Sequence, residues 1–413
     1  MKPESRSVRQ KLALVSAFVF GLVAVATPLA HAQTFSVVHN FTGGNGGAVP
    51  FNGFTVGDSG GGSSHITAPH PGSATFYGTA SSGGASNYGI VFSMNTSGGE
   101  TVLHNFSGGT DGATPYGSLA IDKSGNLYGT TTAGGASGAG TVFEVSGSTE
   151  TVLYSFNGGT DGADPVAGLI QDSTGNLYGT TSQGGANGNG TVFELAAPKT
   201  KGGSWTESVL YSFGTGSDGS VPVGGLSFDS AGSLYGTTSA GGAYGFGTVF
   251  QLVSGAGWTE NILYNFQNAN DGAVPYAGLI SDKAGNFYGA ATEGGANGGG
   301  TVFELTPSKG SWTFNVLYSV PGWGISGSFR NVVLDGAGNL YATTHCDGAY
   351  NSGTVYELTP SDGTWTYTLL YTFTGGTDGQ YSVSNLVLNQ GKLYGTTLYG
   401  GANGNGVVYE VTP

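Results

Sequence analysis

Cysteine is almost missing from this chain. Cys346 is the only one in 413 residues, so no internal disulfide can form and stability has to come from packing. Charge is scarce as well: Asp, Glu, Lys and Arg make up 9% of the residues. Past residue 32, 7 basic and 24 acidic side chains remain, a net charge of −17, and Arg330 is the only arginine there. So few cations cannot neutralise a phosphate backbone or an anionic bilayer surface. Neither nucleic acid nor membrane is an expected partner. Beyond residue 32 there is no apolar run long enough to span a bilayer as a helix, and no capped helical periodicity.

The one long apolar run is at the start. Lys2, Arg6, Arg9 and Lys11 precede an apolar stretch from Leu12 to Leu29, and Ala30-His31-Ala32 has the small-x-small form of a cleavage site. This pattern predicts a secretory signal peptide over residues 1–32, cleaved before Gln33. An uncleaved anchor is the alternative, and the Ala-x-Ala end fits cleavage better. The expected location is secreted, extracellular or periplasmic, with no membrane insertion after cleavage.

Glycine is what the chain has in excess, 80 residues of it. Such a composition raises the prospect of disorder, but regular apolar segments recur between the glycines and supply a core. The segment NLYGTT and its variants occur around Tyr77, Tyr128, Tyr178, Tyr235, Tyr288, Tyr341 and Tyr394, spaced 51, 50, 57, 53, 53 and 53 residues apart. A period near 50 residues marks one supersecondary unit in tandem copies. In the copy from Gly158 to Phe213, a short apolar strand (A, Gly168–Asp172) leads through the turn Asp172-Ser-Thr-Gly-Asn176 to strand B, Asn176–Thr181. A glycine loop then leads to strand C, Thr191–Leu195, and a polar turn to strand D, Ser208–Phe213. These strands are rich in β-branched and aromatic residues, and the turns carry Asp, Asn and Gly. Past the leader the chain begins with a D strand, Thr34–Phe41, and ends after a C strand, Val407–Val411. Pairing the two would close a ring and cover an edge. The prediction is all-β: residues 33–413 as a seven-bladed β-propeller, four antiparallel strands per blade, closed by the N-terminal strand in the last blade.

The repeat G-x-L-Y-G-T-T followed by G-G-A-x-x-x-G-T-V-F-E-L resembles the GloVer tandem repeat of secreted bacterial proteins, over essentially all of residues 33–413. The Asp-x-x-Gly-Asn-Leu-Tyr turn is also similar to NHL-type propeller repeats, a weaker match. The first resemblance implies an exported bacterial protein and supplies no reaction. Some relatives carry a C-terminal sorting segment; the chain ends at Thr412-Pro413 without one, so attachment by that route is not expected.

In a four-stranded blade the D-to-A and B-to-C connections emerge on one face, and both are glycine-rich here. This glycine face surrounds the channel mouth and is where binding residues are expected. Asp111, Asp161, Asp218, Asp271 and Asp378 recur in the D-to-A loops. They read as turn caps or as a ring of carboxylates for cations or sugars, and symmetric copies favour the caps. Asp122, Asp172, Asp229, Asp282 and Asp335, with Glu144, Glu194, Glu304, Glu357 and Glu410, read as scaffold too. The strand B tyrosines are expected to pack blade against blade.

Function in a symmetric scaffold is expected where symmetry fails. Blade six fails in both glycine-face loops, reading Val320-Pro-Gly-Trp-Gly-Ile-Ser-Gly-Ser-Phe-Arg330 and Thr344-His-Cys-Asp-Gly-Ala-Tyr350. Trp323, Arg330, His345, Asp347 and Tyr350 are therefore the candidate ligand-binding residues, with Cys346 beside them. A ring, a guanidinium and an imidazole suit a sugar. A decayed repeat with compensating packing is the competing reading. No metal site, cofactor or nucleophile is expected. Blade one differs by an insertion, Gly57–Ser73 with His65 and His70, on the opposite face. The chain is expected to be a monomeric, non-catalytic binding or surface module for a glycan or a protein. The alternative is a polysaccharide lyase or glycoside hydrolase with its site at blade six, using Arg330 and His345 or Tyr350, or Asp347.

Overall fold

The five residues Leu-Tyr-Gly-Thr-Thr each have a separate task. In blade two they form strand B, Leu127–Thr131, between strand A, Ala120–Ile121, and strand C, Thr141–Ser146, with strand D, Thr149–Ser155, outermost. Leu127 is buried. The Tyr128 ring packs with Leu169 and Phe193 of blade three. Gly129 pairs with Phe143, and a Cβ on it would lie 2.5 Å from the tip of that ring; only glycine leaves room for so close an approach. Thr130 donates to the carbonyl of Ala167 in blade three at 3.0 Å, whereas Thr131 shares a 2.8 Å hydrogen bond with Thr141 of its own blade. The first threonine therefore ties blades together and the second ties strands. The inter-blade bond recurs from Thr79 to Gly117 O, Thr237 to Ala277 O and, across the closure, Thr396 to Pro50 O.

The computed structural model describes residues 33–413 apart from 52, 57–74, 201, 215, 256 and 323–331. The expected leader and the Gly57–Ser73 insertion lie outside the described residues. The strands form seven antiparallel sheets of four. Six follow chain order. The seventh consists of Val387–Asn389, Lys392–Thr396 and Val407–Thr412, with Thr34–Asn40 as its outer strand, Thr34 pairing with Thr412 and Asn40 with Val407. The ring closes as the mismatched ends predict. Phe35 then stacks on Tyr371 of blade six, centroids 3.7 Å apart and planes 6° from parallel. Each core cluster straddles neighbouring blades, as the packing of Tyr128 illustrates. No helix of the described residues is long and apolar enough to cross a membrane.

Two details differ from the sequence reading. The A strands are shorter: blade three pairs over Ile170–Gln171 only. Gly168 instead abuts blade two, where a Cβ would lie 2.4 Å from Ser118 Oγ, and Asp172 accepts the turn amides of Thr174 and Asn176 at 2.8 and 3.0 Å. The C–D ladders also carry a bulge. In blade two Val152 pairs with Phe143 and Tyr154 with Val142, leaving Leu153 extra. A bulge twists the strand and re-aims the residues after it, here Tyr154, whose hydroxyl reaches Asp161 at 2.9 Å.

Candidate functional site

The glycine face is built from paired loops. Isolated bridges join the D-to-A loop to the B-to-C loop, such as Ala113 with Ala133, Ala163 with Gln183 and Ser220 with Ala240. At the root of the D-to-A loop of blades one to five and seven one non-glycine residue has a left-handed backbone. Val221, just before Pro222, has φ 57°. A β-branched residue in that region is strained and persists only where its surroundings over-determine it. Two hydrogen bonds do so: Val221 N donates to Asn189 O of the preceding blade at 2.9 Å, and Val221 O accepts from Ser239 N of its own blade at 3.1 Å. Val49, Thr114, Asp164, Val274 and Tyr381 have the same conformation and the same pair of bonds. The face is thus fastened blade to blade and presents its loops rigidly.

The repeated carboxylates are occupied. Asp161 accepts Asn157 N at 2.8 Å, Asp271 accepts Gln267 N at 2.9 Å and Asp378 accepts Thr374 N at 2.7 Å. On the other face Tyr128 Oη lies 3.2 Å from Asp122 and 3.3 Å from Glu144, and Tyr341 Oη lies 3.2 Å from Asp335 and 2.9 Å from Glu357. These groups hold turns and tyrosines in place, as the symmetry argument expects.

A further series of carboxylates was not singled out from the sequence. Glu150, Glu207 and Glu260 open the D strands of blades two to four, and burial pushes each up to about 7, with the Asp111, Asp161 and Asp218 carboxylates adding to the rise. Later junctions have aromatic rings at this position: Phe314 stacks on Tyr264 at 3.7 Å and Tyr367 on Tyr318 at 4.8 Å. The signal was the Thr-Glu pair at the strand start, changed to Thr-Phe or Thr-Tyr.

Of the residues expected to form a site in blade six, Trp323 and Arg330 lie outside the described residues. His345 is half-buried, 4.5 Å from the ring of Tyr381 in blade seven, and burial pulls its pKa down to about 4. Cys346 is half-buried, and burial followed by the Asp347 charge pushes its thiol up, away from the thiolate a nucleophile needs. Asp347 takes the place of a loop glycine. At the equivalent Gly134 a Cβ would lie 2.6 Å from Gly112 Cα of the Asp-Gly turn, and blade six lacks the Asp-Gly sequence. The Asp347 carboxyl accepts from Thr344 Oγ1 and, at 3.2 Å, from Thr354 Oγ1. Burial raises its pKa. Tyr350 points outward, 60% exposed. His345 and Asp347 fix the loop; Tyr350 is what the loop shows to solvent.

Other tyrosines share that exposure. Tyr399 of blade seven and Tyr88 of blade one are each 45% exposed, and Tyr244 of blade four is 56% exposed, all in B-to-C loops. Blades six, seven and one are consecutive around the ring. Tyr381 of blade seven lies between two of them, edge-on to Tyr399 at 6.2 Å and against His345 of blade six. Tyr88, Tyr244 and Tyr399 were passed over in the sequence, although most blades have a smaller residue at each of these repeat positions.

A seven-bladed propeller of four-stranded blades with this repeat defines a class, the tandem-repeat β-propellers. Within it the chain belongs to the Gloeobacter/Verrucomicrobia repeat family, whose profile matches residues 31–231 and 227–413. No curated protein matches the sequence. Among solved structures, a protein from Lactobacillus plantarum is 17% identical over 78% of this chain and 88% of its own, with a TM-score of 0.52. A candidate 6-phosphogluconolactonase from Bacteroides uniformis is 15% identical over the same shares, 78% and 88%, with a TM-score of 0.51. At such identity the likeness is one of fold.

Proposed function

We propose that this propeller is an exported, non-catalytic binding module that holds a glycan on its glycine face, over blades six, seven and one. Export rests on the leader-like residues 1–32. The binding role rests on one observation: Tyr350, Tyr399 and Tyr88 stand exposed in the same loop of three consecutive blades, on loops whose roots are fastened between blades. An exposed phenol ring offers a stacking face for the C–H side of a sugar and a hydroxyl for its polar edge. The acidic surface favours a neutral sugar over an anionic one. His345 and Asp347 serve the site by shaping the loop beneath Tyr350.

A lyase at the same loop would use His345 or Tyr350 as its base and a hydrolase Asp347; of these, His345 is the one that ordinarily titrates near neutral pH. With a pKa of about 4 it is a weak proton acceptor at neutral pH. Incubation with soluble neutral polysaccharides should therefore retain the protein on the polymer in affinity electrophoresis and release no fragments. Unretarded migration on every polymer, or fragment release that His345→Ala abolishes, would contradict the reading.

A further inference from the structure

On the face opposite the glycine loops, four C-to-D hairpins in a row carry a tryptophan at the start of strand D: Trp205 and Trp258 just before it, Trp312 and Trp365 as its second residue, in blades three to six. Three of the indoles reach back to the strand B tyrosine of the preceding blade, and Trp312 also meets Phe287 of its own blade at 5.7 Å. Trp205 lies 6.2 Å from Tyr128 at 62°, Trp312 lies 6.0 Å from Tyr235 and Trp365 lies 6.5 Å from Tyr288 at 69°. The hairpin thereby stands off from the outer strand of the preceding blade and leaves a groove between them.

Two such grooves are open cavities of nearly equal size. The one between blades five and six, about 490 Å³, has Glu304, Asn315, Val316, Asp362 and Trp365 in its lining. The one between blades two and three, about 510 Å³, has Tyr128, Glu144, Thr151, Val152 and Trp205. The residues correspond position for position: Glu144 with Glu304, Thr151 with Asn315, Val152 with Val316, Trp205 with Trp365. In both, one oxygen of the glutamate is held by a tyrosine hydroxyl, Tyr128 at 3.3 Å and Tyr288 at 3.1 Å. The second oxygen, Oε2, carries no hydrogen bond among the described residues, so an oriented acceptor is left beside an indole. The tryptophans and glutamates are half-buried, which fixes their geometry, while Thr151 and Asn315 are exposed on the floor.

We infer that these grooves are a second set of glycan sites, each taking part of a neutral oligosaccharide. The indole would stack on a pyranose ring and glutamate Oε2 would accept from its hydroxyls. The charged groups in the described linings are carboxylates, which disfavours an anionic sugar. A polymer following the rim across the tryptophan hairpins of blades three to six could engage both grooves and gain by multivalency. The inference takes only the ligand class from the reading above; its residues and face are separate.

The test uses cellohexaose, laminarihexaose, xylohexaose and mannohexaose, titrated into the protein by calorimetry and by tryptophan fluorescence. Binding to the wild type is expected with at least one of them. Trp205→Ala and Trp365→Ala should each weaken it, and the double variant should weaken it about tenfold or more. Should the alanine variants fail to fold, the pair Glu144→Gln and Glu304→Gln carries the test. Blade four already has Gln251 at this position, where it donates to Tyr235 Oη at 2.6 Å, so the change is compatible with the fold. Two- to fivefold weakening is expected of it, on the order of the difference between a charge-assisted and a neutral hydrogen bond. Wild-type affinity in both sets of variants overturns the groove. If Tyr350→Ala and Tyr399→Ala abolish that binding, the glycine-face reading survives alone. If only the tryptophan and glutamate variants lose binding, the groove stands and the glycine-face reading falls. Binding by none of the four sugars overturns the groove.

Discussion

Glu260 and Asp218 share one phenolic hydroxyl across the junction of blades three and four: Tyr211 Oη lies 3.0 Å from Glu260 Oε2 and 3.0 Å from Asp218 Oδ2. The phenol has one proton to donate. The second contact is satisfied when one carboxyl carries its own proton. Burial, the largest effect, pushes Glu260 up to about 7, and the Asp218 charge adds to it. Glu260 is therefore the acid of the pair. Glu150 beside Asp111, which also faces His104, and Glu207 beside Asp161 and Tyr154 are pushed up to about 7 as well.

Stability should therefore fall as pH rises from about 4.5 to about 7. A carboxyl with a raised folded-state pKa binds its proton more tightly when folded, so the stabilisation is full below the unfolded value and lost through the folded one. His39, raised chiefly by its hydrogen bond to Glu100, adds a loss of the same sign. The opposing contribution comes from His345, pulled down to about 4, and His104, lowered by burial, which lose stability as pH falls below about 6.5. Three glutamates outweigh it, so the melting temperature at pH 5 should exceed that at pH 8. In the triple variant Glu150→Gln, Glu207→Gln, Glu260→Gln the difference should shrink. An unchanged slope in the variant refutes the assignment.

Gly289→Ala should destabilise the protein by about 1–3 kcal/mol through overpacking. The added Cβ would lie 2.5 Å from Phe303 Cζ and 2.9 Å from Leu279 Cδ2. Blade six has Ala342 at this position, opposite Tyr356, so the tight fit belongs to the Phe-Leu blades and Ala342→Gly should cost 1 kcal/mol or less, on the order of the strand glycine penalty. Urea unfolding of the two variants measures both values.

Phe35→Ala should cost about 3 kcal/mol, at the low end for a packed phenylalanine because Phe35 is only half-buried. It stacks on Tyr371 and meets Phe373 and Tyr409 at 5.9 Å each. Deleting residues 33–41 should go further and expose the Val407–Thr412 strand as an unpaired edge, seen as aggregation by light scattering. A monomeric, fully folded deletion variant would mean that the closing strand is dispensable.

Several features were legible because they depend on order along the chain. The leftover D strand at Thr34 and the missing one after Val411 predict the closure, and the repeated positions of Asp161 and Glu194 mark them as scaffold. Other features depend on geometry across strands. That Tyr178 would face both Asp172 and Glu194, 6 and 16 residues away, follows from hairpin register. The bulge at Leu153 has a faint signal in the consecutive apolar Val-Leu-Tyr, which strict alternation would not allow. The left-handed Val221 has none, since propensity argues against a β-branched residue there. In blade six, loss of symmetry located the irregular loop, but His345 and Asp347 turn into the scaffold, His345 against Tyr381 and Asp347 onto Thr344 and Thr354, contacts that depend on register across strands.

Tyr350, Tyr399 and Tyr88 are proposed to form one glycan-binding surface. Calorimetric titration of the best-retained neutral polysaccharide into the wild type and into the triple variant Tyr88→Ala, Tyr350→Ala, Tyr399→Ala tests it most directly. Three lost stacking contacts predict at least about tenfold weaker binding with an unchanged melting temperature. Equal affinity in the two proteins would contradict the account.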